Sequence, residues 1–275
     1  MTRLTTGDIA TVSAMLPVYD RELKSKTCFT LAGVAACAAG YDSGRVLPEG
    51  FTVAVIPVST GEGKIEGFTE AVQAVIAHLG GQAFITAKSD VEGLAEACLC
   101  GAEAIMLADD NIFAAINLHS RRVVNNDQAT AAGYAAALDL MAGGLKGRKV
   151  LLIGAGRLGS AAAGHLLGRG ALLTVLDKNR EAETALVNRL KHDLIPVEAA
   201  GGSLPEEEIK KHPLIFEATP AGGYIGPDLI DDRKIIAAPG IPLALNKEAN
   251  RLMRERLIHD PLQIGVAVMF YMLFS

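Results

Sequence analysis

The chain has 275 residues, half of them hydrophobic and 21% charged, with a formal net charge of −5. That length suffices for one large domain or two modest ones around a substantial core. The acidic balance, with no basic patch interleaved with aromatics, argues against a nucleic-acid partner.

The N-terminus, Met1 to Asp8, lacks the apolar run of a signal peptide, and no later segment predicts a membrane span. A cytoplasmic protein with no membrane partner is expected. A first helix is predicted from about Asp8 to Leu23, with Ile9, Val12, Met15 and Leu16 on one face and Pro17 disturbing its middle. A second runs from about Thr30 to Ala39 and stops near Gly40; Tyr41 to Gly50 then reads as a loop. Next come a buried strand at Phe51 to Val58 and a helix at Phe68 to Leu79. They are followed by a strand at Gln82 to Thr86, a helix at Val91 to Leu99 and a strand at Ala104 to Leu107. This alternation predicts a short parallel sheet with helical crossovers. An alanine-rich helix, Ala129 to Met141, links it to a second set of strands at Val150–Ile153, Leu172–Leu176, Leu214–Glu217 and Lys234–Ala237, with a weaker one at Leu194–Val197. The apolar stretch Ile264 to Phe274 is too short to span a membrane and predicts a buried helix. That helix packs back on the first domain or on a partner subunit, which leaves a homodimer open.

The expected fold class is therefore α/β: an N-terminal α/β domain with a short parallel sheet plus a C-terminal Rossmann dinucleotide-binding domain. The expected boundaries are 1–128 for the first domain, 129–146 for the link, 147–258 for the second domain and 259–275 for the closing helix. Four cysteines, Cys28, Cys37, Cys98 and Cys100, form no CxxC pair and meet no histidine cluster. Buried or semi-buried free thiols are expected, and no metal site.

The segment Lys149 to Asp177 carries the most chemistry. A strand, Val150 to Ile153, leads into Gly154-Ala155-Gly156-Arg157-Leu158-Gly159, then a small-residue helix, a second strand and Asp177. Gly154 permits the tight turn, Gly156 lets a pyrophosphate approach the backbone, and Gly159 lets the helix lie close to the sheet. The helix N-terminus, with Arg157 and Leu158 in its first turn, offers free N–H groups to phosphate. Asp177 is placed to accept hydrogen bonds from ribose hydroxyls and would repel a 2′-phosphate, which favours NAD; Lys178 and Arg180 nearby keep NADP open.

Further turns follow predicted strands. Ser59 and Thr60, in Ile56-Pro57-Val58-Ser59-Thr60-Gly61-Glu62-Gly63, either grip a carboxylate or amine or cap a helix. In Ala108-Asp109-Asp110-Asn111, one acid can face the crevice while the other caps the next helix. Thr219-Pro220 and Pro239-Gly240 follow two strands of the second domain, where such turns either pass a nicotinamide ribose or are purely structural. Asn125-Asn126-Asp127 lies between the domains, as a helix cap or a substrate contact. His259 is open as a proton carrier or a structural residue.

Together these stretches resemble the dehydrogenase family that completes pyrrolysine biosynthesis, the 3-methylornithyl-N6-lysine dehydrogenases. The resemblance rests on Ile56 to Gly63 with Gly67-Phe68, on Ala108 to Asn111 with Phe113 and Asn117-Leu118, and on Asn125-Asn126. It continues in the turn at Gly154, Phe216-Glu217-Ala218-Thr219-Pro220, Pro239-Gly240-Ile241-Pro242, and Pro261-Leu262 with Ile264-Gly265. It spans residues from about 50 to the C-terminus; the first 50 match only loosely. Arg157-Leu158 stands where the family's turn carries a lysine and a smaller apolar residue.

The resemblance implies that NAD oxidises the terminal amine of 3-methylornithyl-N6-lysine, and that cyclisation with loss of ammonia then gives pyrrolysine. An ammonium has no free lone pair, so a base must take its proton before hydride leaves the adjacent carbon. Asp109 is the expected catalytic residue. Ser59, Thr60, Asn111 and Asn126 are the expected substrate contacts. The alternatives are a shikimate- or methylene-tetrahydrofolate-type NAD(P) dehydrogenase, which would use a crevice lysine such as Lys64 or Lys88, and an NAD-sensing module without catalysis.

Overall fold

The computed structural model describes residues 4–41, 48, 50–60, 64–191 and 197–275. Two helices, α1 (Thr6–Ile9) and α2 (Val12–Thr27), replace the single helix expected from Asp8 to Leu23. Asp8 turns back on the Thr5 N–H and hydroxyl at 2.8 and 2.7 Å and closes the first turn. A new helix then starts at Val12, carries Pro17 in its interior and runs on to Thr27. After α3 (Leu31–Ala39), Gly40 takes φ +63 and stops the helix. Most of the loop expected from Tyr41 to Gly50, and Gly61 to Gly63, lie outside the described residues.

The first sheet is assembled from β1 (Thr52–Val55), β2 (Gln82–Ile85), β3 (Ala104–Ala108), β4 (Phe113–Asn117) and β5 (Val123–Asn125), with α4 (Phe68–His78) and α5 (Asp90–Leu99) as crossovers. Its order is β2-β1-β3-β4-β5. The expected parallel strands are present as β2-β1-β3, but β4 and β5 extend them antiparallel and make the sheet mixed. Asp109–Ile112 therefore form a hairpin turn, with Ala108 opposite Phe113; no helix follows for either acid to cap.

The second sheet holds β6 (Lys149–Ile153), β7 (Leu172–Leu176), β8 (Val197–Ala199), β9 (Leu214–Glu217), β10 (Ile235–Ala237) and β11 (Leu257–Ile258). It is parallel throughout, in the order β11-β10-β9-β6-β7-β8. Its strands are near-continuous apolar runs because helices cover both faces. The strand expected at Leu194–Val197 is β8, shifted to Val197–Ala199; residues 194–196 lie outside the described residues. The chain reverses direction of winding between β6 and β9, so the crevice at their carboxyl ends is a topological switch point.

One helix, α6 (Asn126–Ala142), contacts strands of both sheets, and α11 (Gln263–Met272) lies along it. The approach is close: a Cβ at Gly133 would sit 2.3 Å from Ile264 Cγ2. Nine consecutive residues of α11, Gln263 to Tyr271, are buried, which explains its apolar sequence without a membrane. Among the described residues no helix is long and apolar enough to cross one. The turn before α11 is tied down by buried Asp260. Tyr19 of α2 donates to its Oδ2 at 2.8 Å, Tyr134 of α6 lies 3.0 Å from the same oxygen, and the Asp260 N–H donates to the Tyr134 hydroxyl at 2.8 Å. Tyr134→Phe leaves that N–H buried without its acceptor. We expect a loss of about 1–3 kcal/mol, read as a fall of several degrees in Tm.

All four cysteines are free and exposed, contrary to the expected burial. Cys28 is the left-handed C-cap of α2, and Cys98 and Cys100 lie at the end of α5, past its buried residues Gly93 and Ala97.

Candidate active site

The glycine turn begins at Ile153, the last residue of β6. Gly154 takes φ +101, and a Cβ there would press on the Ala218 carbonyl at 2.9 Å. Helix α7 (Arg157–Gly168) starts immediately, so close that a Cβ on Gly159 would lie 1.8 Å from the Gly154 oxygen. At Gly156 the added atom would meet nothing within 4 Å. Two glycines are thus demanded by the protein's own packing, and the third opens onto free space at an uncapped helix N-terminus. This is the arrangement that a pyrophosphate needs.

Asp177 follows β7. Its Oδ2 accepts the Ala155 N–H at 2.6 Å and its Oδ1 the Asn179 N–H at 2.7 Å, which fixes the carboxylate beside the turn. It lines a cavity of about 640 Å³ with Lys178, Arg180, Gly202, Ser203 and Tyr224. That cavity shares Gly156, Ala218, Thr219 and Pro220 with a second one of about 190 Å³. The second cavity is walled by the hairpin turn (Asp109, Asn111), the start of α6 (Asn125 to Asp127) and the β9 and β10 turns (Thr219, Gly240). Of the expected residues, Asp109, Asn111, Asn126, Gly156, Arg157, Leu158, Thr219, Pro220 and Gly240 meet at this one crevice.

Asp109 Oδ1 accepts two turn amides, from Asn111 at 2.7 Å and Ile112 at 2.8 Å. The Ile112 and Asn111 N–H groups hold its carboxyl below the usual range. Asn125 is the helix cap, accepting the Asp127 N–H at 2.7 Å. Asn126 instead faces the cavity and receives the Thr130 hydroxyl at 3.3 Å. Gly265 of α11 leaves it room, since a Cβ there would stand 2.7 Å from Asn126 Oδ1.

Other placements differ from expectation. Ser59 and Thr60 are exposed after β1 and do not line the crevice; the Ser59 N–H is held by Asp90 Oδ1 at 2.9 Å. Pro239 lines a small pocket beside Asp260 and Tyr134 rather than the crevice. His259 sits 2.7 Å from the Ala238 carbonyl and faces a surface groove with Lys26 and Arg254 rather than the crevice. Arg157 reaches across the crevice, with Nη2 2.8 Å from Asp127 and Nη1 donating to the Asn111 carbonyl at 3.1 Å. Lys64 and Lys88 do not line it.

One residue at the site was not expected. Glu217, the last residue of β9, is fully buried behind Thr219. Burial pushes its carboxyl up to about 7. A lone acid closing the apolar run Leu214-Ile215-Phe216 is the sequence signal that marks it.

Comparison with known proteins agrees with this geometry. Residues 8–124 match the family model described as Pyrrolysine biosynthesis protein PylD, N-terminal domain. Residues 136–226 match Shikimate / quinate 5-dehydrogenase. Among solved structures, shikimate dehydrogenase from Aquifex aeolicus is similar, with TM-score 0.54 and 17% identity over 84% of this chain and 94% of that one. Quinate dehydrogenase from Corynebacterium glutamicum in complex with NAD is similar too, with TM-score 0.55 and 16% identity over 82% and 93%. At such identities the likeness speaks for the fold alone. The pyrrolysine synthase of Methanosarcina acetivorans is 32% identical over 98% of this chain and 99% of its own length. That of Methanosarcina barkeri is 31% identical over 98% and 97%. A hairpin acid and a glycine turn facing one crevice, in a chain matched end to end at this level, place it in the pyrrolysine synthase family.

Proposed function

We propose that this chain is an NAD-dependent dehydrogenase that oxidises the terminal amine of 3-methylornithyl-N6-lysine and lets the product cyclise, with loss of ammonia, to pyrrolysine. The observation that carries the reading is the shared crevice, where Asp109 and Asn126 face the glycine turn and the Thr219 and Gly240 turns. The residues fit NAD. Gly156 leaves space for the pyrophosphate, α7 presents its N–H groups, Asp177 takes the ribose hydroxyls, and Thr219 and Gly240 flank the nicotinamide side. Bound NAD supplies the hydride acceptor.

The protein's own part is positioning and charge. Asp109 anchors the substrate's terminal ammonium. Because its turn amides keep it a weak base, it passes the ammonium proton on to water rather than keeping it. Asn111 and Asn126 supply neutral donors and acceptors for the amide and amines. A crevice walled by the hairpin and α6 on one side and the β9 and β10 turns on the other would hold the chain curled, so that the α-amine meets the oxidised carbon at high effective concentration. Ser59 and Thr60 contribute only if the β1 loop moves onto the substrate.

The test is NADH formation by purified protein with synthetic 3-methylornithyl-N6-lysine, with the product identified by mass spectrometry. A pyrrolysine mass that appears together with NADH is the expected result. Turnover of shikimate or quinate instead would move the assignment to a hydroxyl-oxidising enzyme.

A further inference from the structure

We propose that Glu217 is a buried charge switch under the nicotinamide half of the cofactor site, losing a proton to solvent when oxidised cofactor binds and regaining it when reduced cofactor takes its place. The inference rests on the cofactor reading above. A dinucleotide with its adenosine ribose at Asp177 crosses the switch point and brings its nicotinamide to the ends of β9 and β10. Glu217 ends β9 and is fully buried there. Its Oε1 accepts the Thr219 N–H at 2.9 Å, the Thr219 hydroxyl, and the Tyr224 hydroxyl at 3.3 Å. Its Oε2 has no partner among the described residues. That oxygen lies 2.9 Å from where a Cβ on Gly240 would stand, and both Gly240 and Thr219 line the crevice. One layer of backbone therefore separates an unpartnered carboxyl oxygen from the cavity.

A buried carboxylate in this position must either keep its proton or find a positive charge. Among the described residues no positive charge acts on it. Ile153 of β6 pairs beside Glu217, and the turn after β10 brings Ala238 and Gly240, none of them titratable. Tyr224 is the titratable neighbour; burial raises its hydroxyl well above the usual range, so it remains a neutral donor. The missing charge is supplied by the oxidised nicotinamide ring, which is a cation, whereas the reduced ring is neutral. The low dielectric at a buried site strengthens that attraction. The sign follows from linkage. Glu217 titrates near 7 in the empty site, a nearby cation lowers that value, and binding at neutral pH expels a proton. Affinity for NAD+ then rises with pH across the window between the lowered value and about 7, and is flat above it.

Calorimetric titration of the full chain with NAD+ and with NADH, in buffers of different protonation enthalpy at pH 7, tests this. For a lowering of about one pH unit, about 0.4 proton should be released per NAD+ bound and almost none per NADH, and wild-type NAD+ affinity should gain about sevenfold between pH 5.5 and 8. Glu217→Gln should bind NAD+ without proton release and with no pH dependence of affinity. Equal proton release with NAD+ and NADH, or undiminished release in Glu217→Gln, would overturn the inference while leaving the cofactor assignment standing. Absence of NAD+ binding by wild-type protein would remove both. Should Glu217→Gln not fold, the NAD+ against NADH comparison in the wild type decides alone.

Discussion

Asp109→Asn should lower kcat/KM for the amine substrate by about 10²–10³-fold, the range for a positioned group that handles a proton, while leaving NAD affinity and Tm within error of wild type. Asparagine is chosen because the carboxyl has two separable tasks. Its Oδ1 holds the hairpin together through the Asn111 and Ile112 N–H groups, and an amide oxygen can accept both. In the proposed reaction the charge is what the substrate's ammonium meets, and that alone is lost. Asp109→Ala removes both and should also loosen the turn, so its activity loss is the less informative of the two. The direction of the pKa adds a second check. The turn amides hold the carboxyl below the usual carboxylate range, so Asp109 stays ionised throughout the range where most enzymes are assayed. A fall in rate on acidification above pH 5 therefore reports substrate protonation or another group, not Asp109. Undiminished turnover in Asp109→Asn would refute the anchoring role and return the amine to Asn111 or Asn126.

The second domain was readable because each of its parts is local. Val150 to Asp177 holds a strand, turn, helix, strand and acid within one unit, and each residue type follows from what stands next to it in the chain. The antiparallel hairpin β3–β4 is not readable in the sequence. Phe113 to Asn117 is short and buried on both faces, so it shows no alternation, and the turn before it uses Asp109 in the way a helix N-cap would. That one misreading explains both the expected all-parallel sheet and the expected capping acid. Arg157 illustrates the same limit. Its neighbours in sequence mark it for phosphate, yet its partner in the fold is Asp127, thirty residues upstream on the other wall of the crevice. Burial was the hardest property to infer. Glu217 reads as a polar strand end, and only the packing of Thr219 and Gly240 over it turns it into an isolated carboxyl.

The glycine turn provides the sharpest separation between fold and function. Gly156→Ala should leave Tm unchanged and weaken NAD binding by about 10²-fold. The added methyl meets no protein atom within 4 Å, and the space it fills is the space assigned to the pyrophosphate. The backbone there, at φ −70, is one that alanine adopts freely. Gly159→Ala should do the opposite first. Its methyl would be driven to 1.8 Å from the Gly154 carbonyl oxygen, a backbone atom that cannot swing aside. The start of α7 must then lift from the turn, at a cost of about 3 kcal/mol or more, and binding falls as a consequence of misplacement. Thermal denaturation and NAD calorimetry on the two variants resolve the matter together. If Gly156→Ala binds NAD as the wild type does, the open space above that residue is not the phosphate site, and the cofactor assignment loses its main support even though the fold is untouched. If it loses NAD with Tm intact, the space is occupied by cofactor in the working enzyme, because no contact within the protein can account for the loss.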